Sequence, residues 1–164
     1  IAMGGTFDHL HAGHKILLTM AMWATNAQLF VGVTDDALLV NKKHAKFLES
    51  MSARTQNVRD FLYLVRHGTA TIPHDCYEGI LVGPIADVAG PTATDPTFDG
   101  VVVSEETVSG ANAINEIRAK NAAEMGIDMK PLEQLVIDII GNDGKNQVGK
   151  HDWPALKLSS TAIR

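Results

Sequence analysis

Three of the chain's seven histidines fall within six positions, in the run Gly4-Gly5-Thr6-Phe7-Asp8-His9-Leu10-His11-Ala12-Gly13-His14. Imidazoles so closely spaced suit either of two chemistries, with a plain surface loop as the third reading. A metal site is the first, because histidine is the commonest metal-binding side chain. The spacing from His9 to His14 nearly spells the H-x-H-x-D-H pattern of dinuclear zinc hydrolases. Gly13 stands where that pattern needs its carboxylate. Phosphate binding is the second. A strand, a glycine turn and a helix N-terminus make an anion site, since unbonded N–H groups and the helix dipole both favour negative charge. Gly13 lets the backbone approach a ligand closely. His11 and His14, three apart, share one side of a first helical turn and donate to charge developing on a phosphoryl oxygen. Phosphate binding uses every residue of the run and is the preferred reading.

Other stretches carry phosphate chemistry as well. Lys42-Lys43 follows an apolar run and Thr34-Asp35-Asp36, and lysine is a compact point charge suited to anchoring a phosphate. Ser159, Ser160 and Thr161 open a short terminal segment; capping explains one hydroxyl, whereas three together with unbonded N–H groups make a second anion site. Arg164 adds a bidentate phosphate clamp. One match is a decoy: Gly144 to Lys150 satisfies G-x-x-x-x-G-K, but His151 replaces the Ser or Thr that would hold magnesium, and Asp152-Trp153-Pro154 breaks the helix that should follow. It reads as a loop.

These residues need elements to position them. Residues 1 to 7 read as a buried strand entering a turn, and Leu29 to Thr34 as a second strand. Ala70 to Ile72, Ile80 to Val82, Gly100 to Ser104 and Leu135 to Ile140 are further strand candidates. Helical spacing runs over Gly13 to Asn26, over Ala53 to Gly68 and over Ala111 to Gly126, with glycine stops at the last two. A final helix is expected from Ser159. Gly83 to Asp99 and Gly141 to Pro154 read as loops. Alternating strands and helices predict an α/β fold, a doubly wound parallel sheet with helices on both faces, whose ligands sit beyond the carboxyl ends of the strands.

Composition sets the bounds. The 164 residues are 45% apolar and carry 14 basic against 19 acidic side chains, a net charge of −5. That argues for one folded domain and against a broad basic face for nucleic acid, while leaving room for a local anion pocket. The lone Cys76 excludes an internal disulfide and a cysteine-based zinc site. The longest apolar runs are four or five residues, far short of the roughly 20 that cross a bilayer. The expectation from composition is one soluble, intracellular globular domain over residues 1–164, trimmed at both ends.

Thr6-Phe7-Asp8 followed by His11-Ala12-Gly13-His14 resembles the (T/S)-x-x-H-x-G-H signature of the nucleotidyltransferase superfamily. Lys157-Leu158-Ser159-Ser160-Thr161-Ala162-Ile163-Arg164 resembles its second signature, ISSTxxR, with Leu158 in place of isoleucine. Gly4 to Asp8, Val102 to Thr107, Ala113-Ile114-Asn115 with Arg118, and Gly90-Pro91 followed by Asp95-Pro96 look most like the eukaryotic and archaeal phosphopantetheine adenylyltransferases. The G-L-R segment of the bacterial enzymes is missing, and Gly141 to Pro154 looks like an insertion.

That resemblance implies a Rossmann-like fold and a reaction, 4'-phosphopantetheine plus ATP giving dephospho-coenzyme A and pyrophosphate. It also implies residue roles. His14 would contact the α- and β-phosphates and stabilise the transition state, with His11 supporting the nucleotide phosphates. Thr6 would orient the attacking phosphate and, with Gly5 and Phe7, contact ATP, while Phe7 and Asp8 shape the turn. Lys42 would anchor the acceptor phosphate, with Lys43 or Lys46 in reserve. Leu158, Ser159, Ser160, Thr161 and Arg164 would hold the β- and γ-phosphates, and Ser104 and Glu106 would lie beside the nucleotide. Arg118 would reach phosphate or pair with Glu116 or other nearby acids. Magnesium would travel with ATP, held mainly by phosphates and water, and Asp35-Asp36 reads as a loop or helix start. A dephospho-coenzyme A kinase, fused or separate, would be the functional partner. The alternatives are a cytidylyltransferase-like enzyme with another acceptor and, more remotely, a zinc hydrolase built on His9, His11 and His14.

Overall fold

The computed structural model describes residues 1–39, 47–68 and 79–137. Within them the chain runs β1 (Ala2–Gly5), α1 (Ala12–Ala24), β2 (Leu29–Thr34), a 3-10 turn (Asp36–Leu39), α2 (Met51–His67) and β3 (Ile80–Ile85). A second 3-10 turn (Gly90–Ala93) leads to β4 (Gly100–Ser104), a third (Glu105–Thr107), α3 (Val108–Met125) and β5 (Glu133–Ile137). The five strands are parallel, in the order β3-β2-β1-β4-β5.

This is the expected α/β architecture. The strands are apolar and β-branched because both faces are covered. Met3, Val31, Val33, Val82 and Val102 pack with Leu18 and Ala21 of α1 and Val58 and Leu62 of α2 in one core. Val101 and Val103, pointing the other way along β4, pack with Ala111 and Ile114 of α3 in a second. Order in the sheet reverses between β1 and β4, so ligands are expected at the carboxyl ends of those two strands.

The helices start slightly earlier than their periodicity suggests. Ser50 accepts the Ala53 N–H at 3.2 Å and caps α2, an ordinary serine cap. Gly68 and Gly126, at φ 67 and 65, close α2 and α3, where a left-handed residue is wanted.

Two expectations need correction. The weak strand at Ile80 to Val82 continues to Ile85, so Gly83-Pro84-Ile85 is strand rather than the start of a loop. Pro84 is tolerated because β3 lies at the edge of the described sheet, where a missing N–H costs no ladder bond. The stretch to Asp99 also contains the turn Gly90–Ala93. The last strand begins at Glu133 rather than Leu135. The strand expected at Ala70 to Ile72, Cys76, the Gly141 to Pro154 loop and the final helix lie outside the described residues.

Candidate active site

The histidine run forms the turn between β1 and α1, at the carboxyl end of a central strand. Its backbone is strained: Phe7 and His9 take φ of 51 and 46, a left-handed conformation that side chains with a Cβ rarely adopt. Surrounding contacts hold it there. Phe7 and Asp8 are buried. Asp8 Oδ1 accepts the Glu49 N–H at 2.8 Å, and the Glu49 carboxylate in return accepts the His9 N–H at 2.6 Å. Asn57 steadies that carboxylate from α2, at 3.2 Å.

Upstream, Arg54 holds the turn. Its guanidinium is fully buried and donates to the carbonyls of Thr6 and Thr34, each at 2.9 Å, and through Nε to the Glu49 carbonyl at 3.0 Å. It also pairs with the Asp36 carboxylate. One cation thus ties the ends of β1 and β2 to the loop before α2.

Helix α1 opens at Ala12 with His11 as its first half-helical residue, and no side chain caps it. Its first intrahelical bond runs from the Lys15 N–H to the His11 carbonyl, at 3.1 Å, so the Ala12 and Gly13 amides have no carbonyl of this helix to bond. No acidic side chain sits in that first turn. The end is ready for an anion.

Beside it the His11 and His14 rings stack, centroids 3.9 Å apart and planes 22° off parallel, and Phe7 backs His14 at 5.4 Å. Burial lowers the affinity of His11 for a proton. Its Nδ1 is enclosed and has no hydrogen-bond partner among the described residues. A Cβ on Gly13 would lie 3.1 Å from His11 Cε1, so glycine here makes room for the stack. Gly5 serves likewise, since its Cβ would meet the Phe7 ring at 3.1 Å.

His9 does not join the other two. Its Nε2 sits 3.1 Å from the Phe47 carbonyl and 3.9 Å from Asp8. Among the described residues no group of three histidine, cysteine or carboxylate side chains is arranged to hold a metal ion. The arrangement thus lacks the convergent triad that the hydrolase alternative requires.

The remaining candidates divide. Ser104 ends β4, next to β1, where its N–H donates to Thr107 Oγ1 at 3.0 Å; Glu106 follows in the adjoining 3-10 turn and is exposed. Arg118 is a correction. It does not pair with Glu116, and the acids beside it are Asp95 and Asp99. It is buried and donates to the carbonyls of Lys130, Thr92, Asp95 and Phe98 at 2.6–3.3 Å. Asp95 and Asp99 provide the nearby negative charge, and burial nevertheless lowers the guanidinium's proton affinity. Its donors are spent on the loop before β4 and the segment before β5. Lys42, Lys43, Lys46, Leu158, Ser159, Ser160, Thr161 and Arg164 lie outside the described residues.

Sequence reasoning missed Arg54 and Glu49. A signal existed for the first: Arg54 precedes Val58 and Leu62 at four-residue steps, a cation on the buried stripe of an amphipathic helix.

Residues 2–164 match the model of the family described as "Cytidylyltransferase-like". The chain belongs to that family. It is 38% identical over 163 residues to a protein of Saccharomyces cerevisiae named phosphopantetheine adenylyltransferase, covering 99% of this chain and 47% of the yeast protein. It is 30% identical to a protein of the same name from Pyrococcus horikoshii, across 100% of this chain and 87% of the archaeal one. The chain thus spans about half the length of its yeast relative and nearly all of its archaeal one. A crystal structure of a protein of unknown function from Archaeoglobus fulgidus superposes with a TM-score of 0.63 at 27% identity, covering 84% of this chain and 87% of that one. The family resemblance read from the two signatures is borne out, and so is the Rossmann-like fold. Among the described residues no helix is long and apolar enough to cross a membrane.

Proposed function

We propose that this chain transfers the adenylyl group of ATP to 4'-phosphopantetheine, releasing pyrophosphate and forming dephospho-coenzyme A. The observation that carries the reading is the uncapped start of α1 with its stacked His11 and His14, set at the carboxyl end of β1 where the strand order reverses. Relatives named for this activity, one matched along 87% of its length, support the choice of substrates.

An oxygen of the acceptor phosphate attacks the α-phosphorus of ATP, the bond from that phosphorus to the bridging oxygen breaks, and pyrophosphate leaves with the electron pair. No covalent enzyme intermediate is needed. The protein's part is to hold two polyanions in line and to meet charge developing on the transferred group. The α1 amides and the imidazoles of His11 and His14 meet that charge. Thr6, last residue before the strained turn, orients the attacking phosphate, with Lys42 as anchor. The hydroxyls of Ser159 to Thr161 and Arg164 take the outer phosphates. Magnesium arrives with ATP as part of the substrate. The setting is the cytoplasm, and a dephospho-coenzyme A kinase, fused or separate, consumes the product.

A panel of ATP and CTP against 4'-phosphopantetheine and other phosphate acceptors, following pyrophosphate, tests the assignment. Turnover with ATP and phosphopantetheine alone is expected. Activity only with CTP or another acceptor would keep the family and overturn the substrates.

A further inference from the structure

We propose that Arg54 is a positioning residue for the acceptor phosphate, setting the end of β1 relative to the end of β2 through four partners; the inference rests on the adenylyl transfer proposed above. Arg54 touches neither His11 nor His14. Its contacts lie upstream of them. The Thr6 carbonyl belongs to the residue proposed to orient the attacking oxygen, and the Thr34 carbonyl ends the neighbouring strand. Asp36 and the Glu49 carbonyl are the other two partners, and in sequence they flank the stretch that contains Lys42 and Lys43.

A buried arginine satisfied by three carbonyls and one carboxylate has a fixed orientation. The planar fork engages several acceptors at once, which a lysine ammonium on its flexible stem cannot do. Among the described residues the downstream half of the turn shares only Glu49 with Arg54, through the Glu49 carbonyl. Asp8 and the His9 amide bind Glu49 directly, and His11 begins α1. Loosening Arg54 therefore moves Thr6 and the acceptor side while leaving the helix start that receives the nucleotide phosphates. A displacement of about an ångström in a reacting group costs on the order of 100-fold in rate.

The experiment uses Arg54→Lys and Asp36→Asn in the full chain. The Asp36 side chain is mostly exposed, so its replacement keeps the test decisive if Arg54→Lys fails to fold. Steady-state kinetics against each substrate are combined with calorimetric ATP binding and thermal unfolding. The expected result is a fall in kcat/KM for phosphopantetheine of about 100-fold in Arg54→Lys and about tenfold in Asp36→Asn, with the ATP Kd within about twofold of wild type. Wild-type kcat and KM per folded molecule, with only the melting temperature lowered, would overturn the positioning role. So would an equal loss of ATP and acceptor affinity, which would mark a general distortion. Absence of turnover in the wild type itself would instead overturn the adenylyl-transfer reading, and the positioning role with it.

Discussion

Replacing Arg118 by methionine separates a fold-building arginine from a phosphate-binding one. The guanidinium donates at 2.7 Å to Lys130, 2.6 Å to Thr92, 2.7 Å to Asp95 and 3.3 Å to Phe98, all to backbone carbonyls. The bond to Thr92 is buried and the others are partly so. Methionine fills much of the volume and supplies no donor. The Thr92 carbonyl is then stranded, at a cost of about 1–3 kcal/mol. The other three lose charge-assisted bonds that water replaces only in part. Removing a buried charge returns some desolvation energy. A net loss of about 3–4 kcal/mol follows, which in a domain of this size lowers the melting temperature by roughly 10 °C. Urea and thermal unfolding of wild type and Arg118→Met measure it, alongside calorimetric ATP titration at a temperature where both are folded. The ATP Kd should stay within about twofold. A melting temperature within about 2 °C of wild type, together with tenfold weaker ATP binding, would refute the structural role and restore Arg118 to the nucleotide site.

Gly13→Ala should leave stability unchanged or slightly raised, because alanine is the better helix former. Its Cβ would sit 3.1 and 3.2 Å from the His11 ring, so the stack must tilt and the KM for ATP should rise about tenfold in steady-state assays. The pH dependence of unfolding reports His11. Burial sets its folded pKa below the ordinary value of 6.5, so the folded state binds that proton less well than the unfolded chain. Its contribution to stability is intact above about 6.5 and is lost as the pH falls from there through the folded pKa. Urea midpoints between pH 8 and pH 5 should decline, and His11→Asn should flatten the decline; an identical slope in the variant would show that His11 does not cause it. Asp95, whose carboxyl is held below its usual range chiefly by the Thr97 hydroxyl, acts in the same sense at lower pH. It stabilises above about 3.8 and loses that contribution at lower pH.

Which parts of this molecule were legible in its sequence follows from the range of the interactions. Helices α2 and α3 show their apolar stripes and glycine stops, and β2 and β4 their short valine-rich apolar runs, because such signals are local. Alternation pointed to the carboxyl ends of the strands, while the reversal between β1 and β4 needed the strand order. The end of β3 was hidden, since Gly83-Pro84 reads as a breaker until the strand is known to lie at a sheet edge. The site divided along the same line. The His11 and His14 pair sits at helical spacing and could be read directly. What holds the turn could not, because Asp8 meets Glu49 across 41 residues and Arg54 meets Thr6 across 48. Arg118 misled for a related reason: an arginine near a nucleotide motif looks like a phosphate ligand, and only the fold shows three carbonyls of the loop before β4 and one of the segment before β5 waiting for it.

Direct transfer at the α1 start is tested most sharply with ATP labelled at its α-phosphate. Incubated with 4'-phosphopantetheine, the protein should move label into dephospho-coenzyme A, one for each pyrophosphate released, with none left on the denatured protein. His14→Ala should cut the rate by at least about 100-fold, the usual cost of deleting a transition-state donor. Label remaining in ATP, appearing as free AMP, or moving at an undiminished rate in the variant would contradict it.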